Sequence, residues 1–176
     1  MKGFFRIGDK LISREKILAG IEKILKLRSQ GKSQHEVAEV MSVDRSFISR
    51  LENLGEMRKG NQIGAVGFPI KNTEEIRKVL YDRGVGKCLL MSETERNSFV
   101  RNQPGSDLVD ELATLIREYR MYDTVLVLAS DMRTKWVESL LDRQQQIIAV
   151  NIGTSPLTED VYVEPNDIIE ILDHLL

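Results

Sequence analysis

The stretch TVLVLAS, residues 124–130, decides the fold of the larger part of this chain. Its central apolar run is typical of a strand that is covered on both faces of a parallel sheet. Four further runs have the same character: AVGFPI, KCLLMS, QIIAVNIG and VYVEP. Helical patterns separate the runs, around residues 73–83, 106–121, 132–143 and 166–176. The alternation predicts the α/β class, as a doubly wound, mainly parallel α/β sandwich domain.

The composition is that of an ordinary globular protein, since 41% of the 176 residues are hydrophobic and 30% are charged. This length suits one medium domain or two small ones. No apolar run reaches the length of a membrane span, and the start MKGFFRIGDK lacks a signal-peptide pattern, so we expect a cytoplasmic protein. The single Cys88 allows no internal disulfide. With His35 and His174 as the two histidines, we expect neither a metal site nor a cofactor.

Charge is distributed unevenly along the chain. Residues 1–60 carry 13 Lys and Arg against 8 Asp and Glu, a net charge of +5, whereas residues 61–176 carry 12 against 19, a net charge of −7. The stretch GEMRKGNQIGAVG, with four glycines, has the composition of a linker. We therefore predict two domains, 1–60 and 61–176, of which the first faces a polyanion.

The smaller domain contains two short helical patterns around a three-residue gap. Ser33 and Glu36 form a capping box that starts the first helix. The gap is residues 42–44, and Asp44 is a good N-cap for the second helix. On that helix an apolar sector, predicted to be buried, consists of Phe47, Ile48, Leu51 and Leu54. Polar residues lie opposite, namely Ser46, Ser49, Arg50 and Asn53, with Arg45 at the edge of the sector.

Residues from about 14 to 55 resemble the Cro-type, phage-repressor-like helix-turn-helix family. The resemblance depends on Gln34, Ala38, Val43 and the run ISRLE, residues 48–52. It implies an all-α domain that binds double-stranded DNA, in which Gln34 contacts a phosphate. It further implies that the groove-facing residues are Arg45, Ser46, Ser49 and Arg50, and the outward Asn53 is a further candidate contact. The family usually has Gly at the start of the turn, where this chain has Ser42.

The larger domain resembles Rossmann and flavodoxin-like domains, in which ligands bind outside the carboxyl ends of the strands where the strand order reverses. With five strands in the order 2-1-3-4-5, the loops after the first, third and fourth strands converge. A candidate ligand site then consists of Lys71, Ser130, Asp131, Gly153, Thr154 and Ser155. The mixture of one cation, one carboxylate and hydroxyls favours a small anionic or sugar-like effector. The same residue types also serve as plain helix caps, and the sequence leaves that alternative open.

These features together predict a sequence-specific DNA-binding transcriptional regulator with a C-terminal dimerisation or effector-sensing domain. We find no catalytic constellation and do not expect an enzyme. A homodimer is expected because one such helix reads few base pairs. Two alternatives stay open: a small α/β enzyme for a phosphorylated or nucleotide-like ligand, positioned by the DNA-binding head, or a protein-interaction platform. An apolar helix face, consisting of Ile168, Ile169, Leu172 and Leu176, would favour dimerisation or the platform if exposed. Residues 93–106 are too polar and interrupted for a simple crossover helix and fit a lid or a partner contact.

Overall fold

The computed structural model describes residues 3–56, 62–102, 104–141 and 145–175. The chain divides into two compact units, Met1–Glu56 and Met57–Leu176. The predicted domain boundary between residues 60 and 61 lies outside the described residues. Within the described residues, no helix combines the length and the apolar character needed to cross a membrane.

The N-terminal unit begins with a two-stranded antiparallel hairpin. Strand β1 (Phe4–Ile7) pairs with β2 (Lys10–Ser13), and Gly8 adopts a φ of 59° in the turn between them. Such a φ is readily adopted by glycine. The expectation of an all-α N-terminal domain is therefore wrong, because the run FFRIGDKLIS places its Gly-Asp pair where a tight turn can close.

Three helices follow the hairpin: α1 (Arg14–Ser29), α2 (Gln34–Met41) and α3 (Arg45–Gly55). The Ser13 Oγ accepts a hydrogen bond from the Lys16 N–H at the start of α1. Ser33 and Glu36 form the expected capping box at the start of α2. Where the helices cross, the buried core consists of Ile24, Val37, Ala38 and Ile48.

The predicted apolar sector of α3 is only partly buried. Ile48 is fully enclosed and Leu51 is half-buried, as the sector predicts. Phe47, however, is exposed, and 86% of Leu54 is accessible to solvent. The prediction for these two residues is wrong within the N-terminal unit, because its small core includes Ile48 and Leu51 but does not extend to the side of α3 that carries Phe47 and Leu54.

The C-terminal unit is built on a four-stranded parallel sheet, as far as the described residues show. Its spatial order is β4-β3-β5-β6. The strands are β3 (Ile63–Gly67), β4 (Lys87–Leu90), β5 (Thr124–Ala129) and β6 (Gln146–Asn151). All six residues of β5 are buried, which agrees with its continuous apolar sequence. The α/β class and the reversal of strand order between β3 and β5 agree with the sequence prediction.

Helices cover both faces of this sheet. One face packs against α4 (Thr73–Asp82) and α8 (Pro165–Leu175). The other face packs against α6 (Gly105–Tyr119) and α7 (Asp131–Leu140). Close approach of α6 needs the glycine at position 64, because a Cβ there would lie 3.1 Å from the Tyr119 ring.

Two sequence predictions for this unit are wrong. The run VYVEP forms no fifth strand beside β6; instead, Val161 makes an isolated parallel bridge to Ile70, just beyond β3. The polar segment after β4 is also helical, because Ser92 and Glu95 form a capping box that starts α5 (Glu93–Arg101). Within 93–106, residue 103 lies outside the described residues.

The C-terminal helix α8 does not present the apolar face that the sequence suggested. Ile168 and Leu172 are fully buried in the core between α8, α4 and the sheet, and Ile169 is half-buried. Leu176 lies outside the described residues. Dimerisation or partner binding through this face would require it to be exposed, and its described members are not exposed.

Candidate functional site

The turn between α2 and α3 is held by backbone hydrogen bonds. Ser42 adopts a left-handed conformation with φ 53° and ψ 45°, which is the conformation that the expected glycine would favour. The Val43 N–H donates to the Ala38 carbonyl at 3.1 Å. Asp44 occupies the predicted N-cap position of α3, but its side chain makes no cap hydrogen bond. The orientation of α3 relative to α2 thus depends on the backbone of the turn and on the core beneath it.

A polar network joins all three helices of the N-terminal unit. The Glu52 carboxylate on α3 accepts hydrogen bonds from Arg28 Nε on α1 and, at 2.6 Å, from Gln34 Nε2 on α2. Arg45 Nε lies 3.4 Å from Gln34 Oε1 and donates to it. The hydrogen bonds from Arg28 and Gln34 lower the pKa of Glu52 below its ordinary value. The network therefore keeps a carboxylate ionised between the helices.

Sequence reasoning found Gln34 but missed the network around it. The resemblance implies a phosphate contact for Gln34, whereas its amide here binds Glu52 and it is half-buried. Glu52 belongs to the run that carries the resemblance, yet its partner Arg28 is 24 positions away on another helix. The spacing of the sequence does not reveal this pair, because it forms only when α1 packs across α2 and α3.

The outward side of α3 presents a polar stripe to solvent. Ser46, Arg50 and Asn53 are spaced four and three residues apart, so they lie on one face of the helix, and all three are exposed. Arg45 is exposed at the start of the helix, and Ser49 is half-buried at the edge of the stripe. All five predicted contact residues of α3 thus lie near one another, and Ser46, Arg50 and Asn53 lie opposite the buried Ile48. We call Ser46, Arg50 and Asn53 the α3 stripe.

Four of the six residues predicted to bind an effector also lie together. Ser130 Oγ and Ser155 Oγ are 2.7 Å apart, and the Ser155 N–H donates to Asp131 Oδ1 at 2.8 Å. The Asp131 N–H donates to the Gly153 carbonyl at 3.3 Å. Backbone N–H groups of Ser155 and Met132 lower the pKa of the Asp131 carboxyl. These polar groups largely satisfy one another, and they tie the loop after β6 to the start of α7.

The other two predicted residues, Lys71 and Thr154, are exposed. The Lys71 N–H donates to the Val161 carbonyl, which lies beside the extension of β3. Within the described residues, no hydrogen bond or ion pair joins the Lys71 or Thr154 side chain to Ser130, Asp131 or Ser155. The structure therefore brings the loops after β5 and β6 together as predicted. The contacts between them are compatible with plain capping of α7 and with a ligand site.

A cavity of about 480 Å³ lies elsewhere, between the second face of the sheet and helices α5, α6 and α7. Its wall is almost wholly apolar and includes Val66, Leu89, Leu112, Leu115, Val125 and Trp136. Arg96 and Arg133 also line the cavity, chiefly through the apolar parts of their side chains. Trp136 lies on the side of α7 that faces the sheet, but 61% of its surface is exposed at the cavity. Sequence reasoning missed this site, because its residues come from six separate elements with no shared spacing.

No group of three or more His, Cys, Asp or Glu side chains within the described residues is arranged to hold a metal ion. Comparisons with protein-family models, with curated proteins and with solved structures find no match. The interpretation of the two units consequently depends on their own geometry.

Proposed function

We propose that this protein is a sequence-specific DNA-binding transcriptional regulator whose N-terminal unit binds double-stranded DNA. The observation that carries the proposal is the α3 stripe: Ser46, Arg50 and Asn53 are exposed on one face of a helix whose opposite face is buried through Ile48. The major groove admits one α-helix, and arginine can donate two hydrogen bonds to a guanine edge. Helix α3 therefore offers the side chains that direct readout requires.

Charge supports the same interpretation. Residues 1–60 carry a net charge of +5 in a chain whose total is −2. Attraction to phosphates accounts for most non-specific DNA affinity, and it needs a positive surface on one part of the protein. In this proposal the stripe reads bases, with Arg45 and Ser49 beside it. Gln34 contacts a phosphate by exchanging Glu52 for a phosphate oxygen, while Arg28 still pairs with that carboxylate.

The C-terminal unit is proposed to dimerise or to sense an effector, in a protein that acts in the cytoplasm. A single recognition helix contacts few base pairs, so useful specificity generally needs two copies on adjacent half-sites. The hydrogen-bonded group of Ser130, Asp131 and Ser155 remains a candidate site for a small anionic or sugar-like effector. In this site Gly153 would leave its backbone accessible to the effector, and Lys71 and Thr154 would lie at the edge. Effector binding would change DNA affinity only by favouring one arrangement of the heads.

The test is selection of bound sequences from a random duplex library, followed by affinity measurements on the selected site. We expect Arg50→Ala to weaken specific binding by about 1–3 kcal/mol and to relax the preference at one base position. A matched control is Arg101→Ala, since Arg101 is also exposed but lies on α5 of the C-terminal unit. We expect that variant to bind the selected site as the parent does.

Salt dependence separates base contacts from phosphate contacts. The logarithm of affinity should fall linearly with the logarithm of salt concentration, and Arg50→Ala should leave the slope nearly unchanged if Arg50 reads a base. Recovery of no enriched sequence, or equal losses for Arg50→Ala and Arg101→Ala, would contradict the proposal.

A further inference from the structure

The cavity beneath α5, α6 and α7 has the properties of a small-molecule site. Its volume of about 480 Å³ lies within the usual range for such sites, about 300–1,000 Å³. Helix α6 is anchored to the sheet at its C-terminal end, where the Tyr119 hydroxyl donates to the Ala65 carbonyl at 2.7 Å. The apolar side chains Leu112 and Trp136 at the wall remain largely exposed, at 45% and 61%. An apolar occupant would therefore remove a substantial apolar surface from water.

The polar part of the cavity wall carries an unbalanced positive charge. Arg96 is paired with Glu93: its Nη2 lies 2.5 Å from Oε1 and its Nε lies 3.0 Å from Oε2. Arg133 stacks over the Phe68 ring, with 5.1 Å between the guanidinium carbon and the ring centroid. Together Arg96, Arg133 and Glu93 have a net charge of +1 at the edge of an apolar cavity.

Arg133 is the group that lacks a partner. Its Nη1 atom is buried and has no hydrogen-bond partner among the residues that the structure describes. Burial, and then the neighbouring Arg96, lower the pKa of the Arg133 guanidinium, which means that its charge is held at a free-energy cost. Buried polar groups are nearly always hydrogen-bonded in native proteins, so an acceptor placed beside this donor would be stabilised.

We propose that this cavity binds a small amphipathic acid, with its apolar body against the sheet face and α6 and its carboxylate on Arg133. The planar guanidinium matches a carboxylate, and a charge-assisted hydrogen bond would satisfy Nη1. An anion also balances the positive charge of Arg133, which the neutral Arg96–Glu93 pair beside it leaves uncompensated. A second copy of this chain is a poorer occupant, because an apolar helix face would leave the same donor unpaired and more deeply buried.

This site differs from the loops after β5 and β6, since none of Lys71, Ser130, Asp131, Gly153, Thr154 or Ser155 lines the cavity. The inference goes beyond the proposed regulator: it names a ligand class for the C-terminal unit and does not depend on DNA binding. Its test needs no operator.

The first test compares three ten-carbon probes on the full-length protein by isothermal titration calorimetry: decanoate, decan-1-ol and decylamine. We expect decanoate to bind at least about tenfold more tightly than decan-1-ol, because only the acid forms a charge-assisted bond with Arg133. Decylamine is expected to bind most weakly, since its ammonium group meets a positive site. Affinity should also rise from hexanoate to decanoate as more methylene groups enter the apolar wall.

The second test uses Arg133→Met, which keeps an unbranched side chain but removes the charge. Decanoate affinity should fall by about tenfold or more, whereas decan-1-ol affinity should stay within about twofold of the parent. The matched control is Arg117→Met on the exposed side of α6, which should change neither. The melting temperature of Arg133→Met should not fall below that of the parent, because an unpaired buried charge is removed. If this variant fails to fold, Arg133→Gln, which also removes the charge, tests the same point with the same expected loss of decanoate affinity.

Three results would overturn the proposal. One is equal affinity of the parent for decanoate and decan-1-ol. Another is decanoate binding that Arg133→Met leaves unchanged while the variant is folded. The third is binding of none of the probes. If the protein is then a dimer in sedimentation experiments that Leu112→Arg converts to a monomer, the cavity belongs to an interface between two copies of this chain.

Discussion

At the scale of single residues, Ser42 is where the backbone of the N-terminal unit is strained. It is the one non-glycine residue with positive φ among those that the structure describes. A left-handed conformation costs an L-residue with a Cβ roughly 1–2 kcal/mol. The turn keeps that conformation because the Val43–Ala38 hydrogen bond and the packing of Ile48 hold both helices.

Ser42→Gly is expected to stabilise the N-terminal unit. The relief of backbone strain exceeds the extra unfolded-state entropy of glycine, which is about 0.4–1 kcal/mol, so the net gain should be about 0.5–1 kcal/mol. Urea denaturation followed by circular dichroism measures it. Ser42→Ala is the matched control, since alanine keeps the Cβ and should give no gain. A destabilised glycine variant would show that the Ser42 side chain, rather than its backbone, supports the turn.

Glu52 makes the stability of the N-terminal unit depend on pH. Its pKa in the folded protein is lowered by hydrogen bonds from Arg28 and Gln34. A carboxyl group whose folded pKa is depressed contributes stability above its unfolded pKa and loses that contribution as the pH falls through the folded value. Glu52→Gln should therefore destabilise the unit at pH 7, by about 0.5–1 kcal/mol for a partly exposed pair.

The same substitution should have little effect in acid. Below the folded pKa of Glu52 the parent is protonated and resembles glutamine, so the two denaturation curves should converge. Glu22→Gln on the exposed side of α1 is the matched control and should change stability little at either pH. A Glu52→Gln penalty that persists unchanged at low pH would assign the effect to packing instead of charge.

At the scale of elements, the Asn72 side chain helps to hold the segment VYVEP, which was predicted to form a fifth strand, beyond the bridge that Val161 makes to Ile70. The Asn72 Nδ2 donates to the Val163 carbonyl at 2.9 Å, and its Oδ1 accepts from the Val163 N–H at 3.0 Å. Val163 itself is buried in the main core of the C-terminal unit. The amide thus takes the place of a neighbouring strand for this residue and fixes the path of the chain into α8.

Asn72→Ala should destabilise the C-terminal unit by about 1–3 kcal/mol, because it leaves the N–H and the carbonyl of a buried valine without partners. The measurement is thermal or urea denaturation of the full-length protein. Asn166→Ala, at an exposed position in the first turn of α8, serves as the control and should change stability by less than about 0.5 kcal/mol. Equal effects of the two substitutions would show that the hydrogen bonds between Asn72 and Val163 add no specific stability.

At the scale of the whole molecule, the proposed regulator is expected to be a homodimer that reads two half-sites. Selected DNA sequences should then be palindromic or nearly so, with half-site centres about one helical turn apart. Sedimentation equilibrium of the full-length protein should give twice the mass of one chain. A monomer in solution that selects a single, non-repeated motif would contradict this prediction.

A related prediction concerns the surface that makes the dimer. Sequence reasoning suggested the apolar side of α8, but Ile168 and Leu172 are core residues, so substitutions there should unfold the C-terminal unit before they change assembly. Leu172→Ala is expected to cost about 2–5 kcal/mol of stability. Monomers that remain fully folded after that substitution would show that the helix has an interface role after all.

The sequence by itself determined most of the regular elements, including the buried central strand of the sheet. TVLVLAS indicates a buried strand because its apolar run is uninterrupted and short, and Ser33 with Glu36 starts a helix because a capping box depends only on local hydrogen bonds. The charge split and the α3 stripe were likewise legible from composition and helical spacing. The same capping signal, Ser92 with Glu95, precedes α5, but the polarity of the segment argued against a helix in the sequence prediction.

Only the tertiary structure decided what depends on contacts between distant positions. Two such contacts are the Arg28–Glu52 ion pair and the hydrogen bonds between Asn72 and Val163. A third case is Arg133, whose unpaired Nη1 lies beside an apolar cavity that several elements form together. Local propensity carries no information about such pairs, because their energies arise only after helices and strands have packed. For the same reason Phe47 and Leu54, which share a helical face with Ile48, remain exposed: helical spacing predicts direction, and the extent of the surrounding core decides burial.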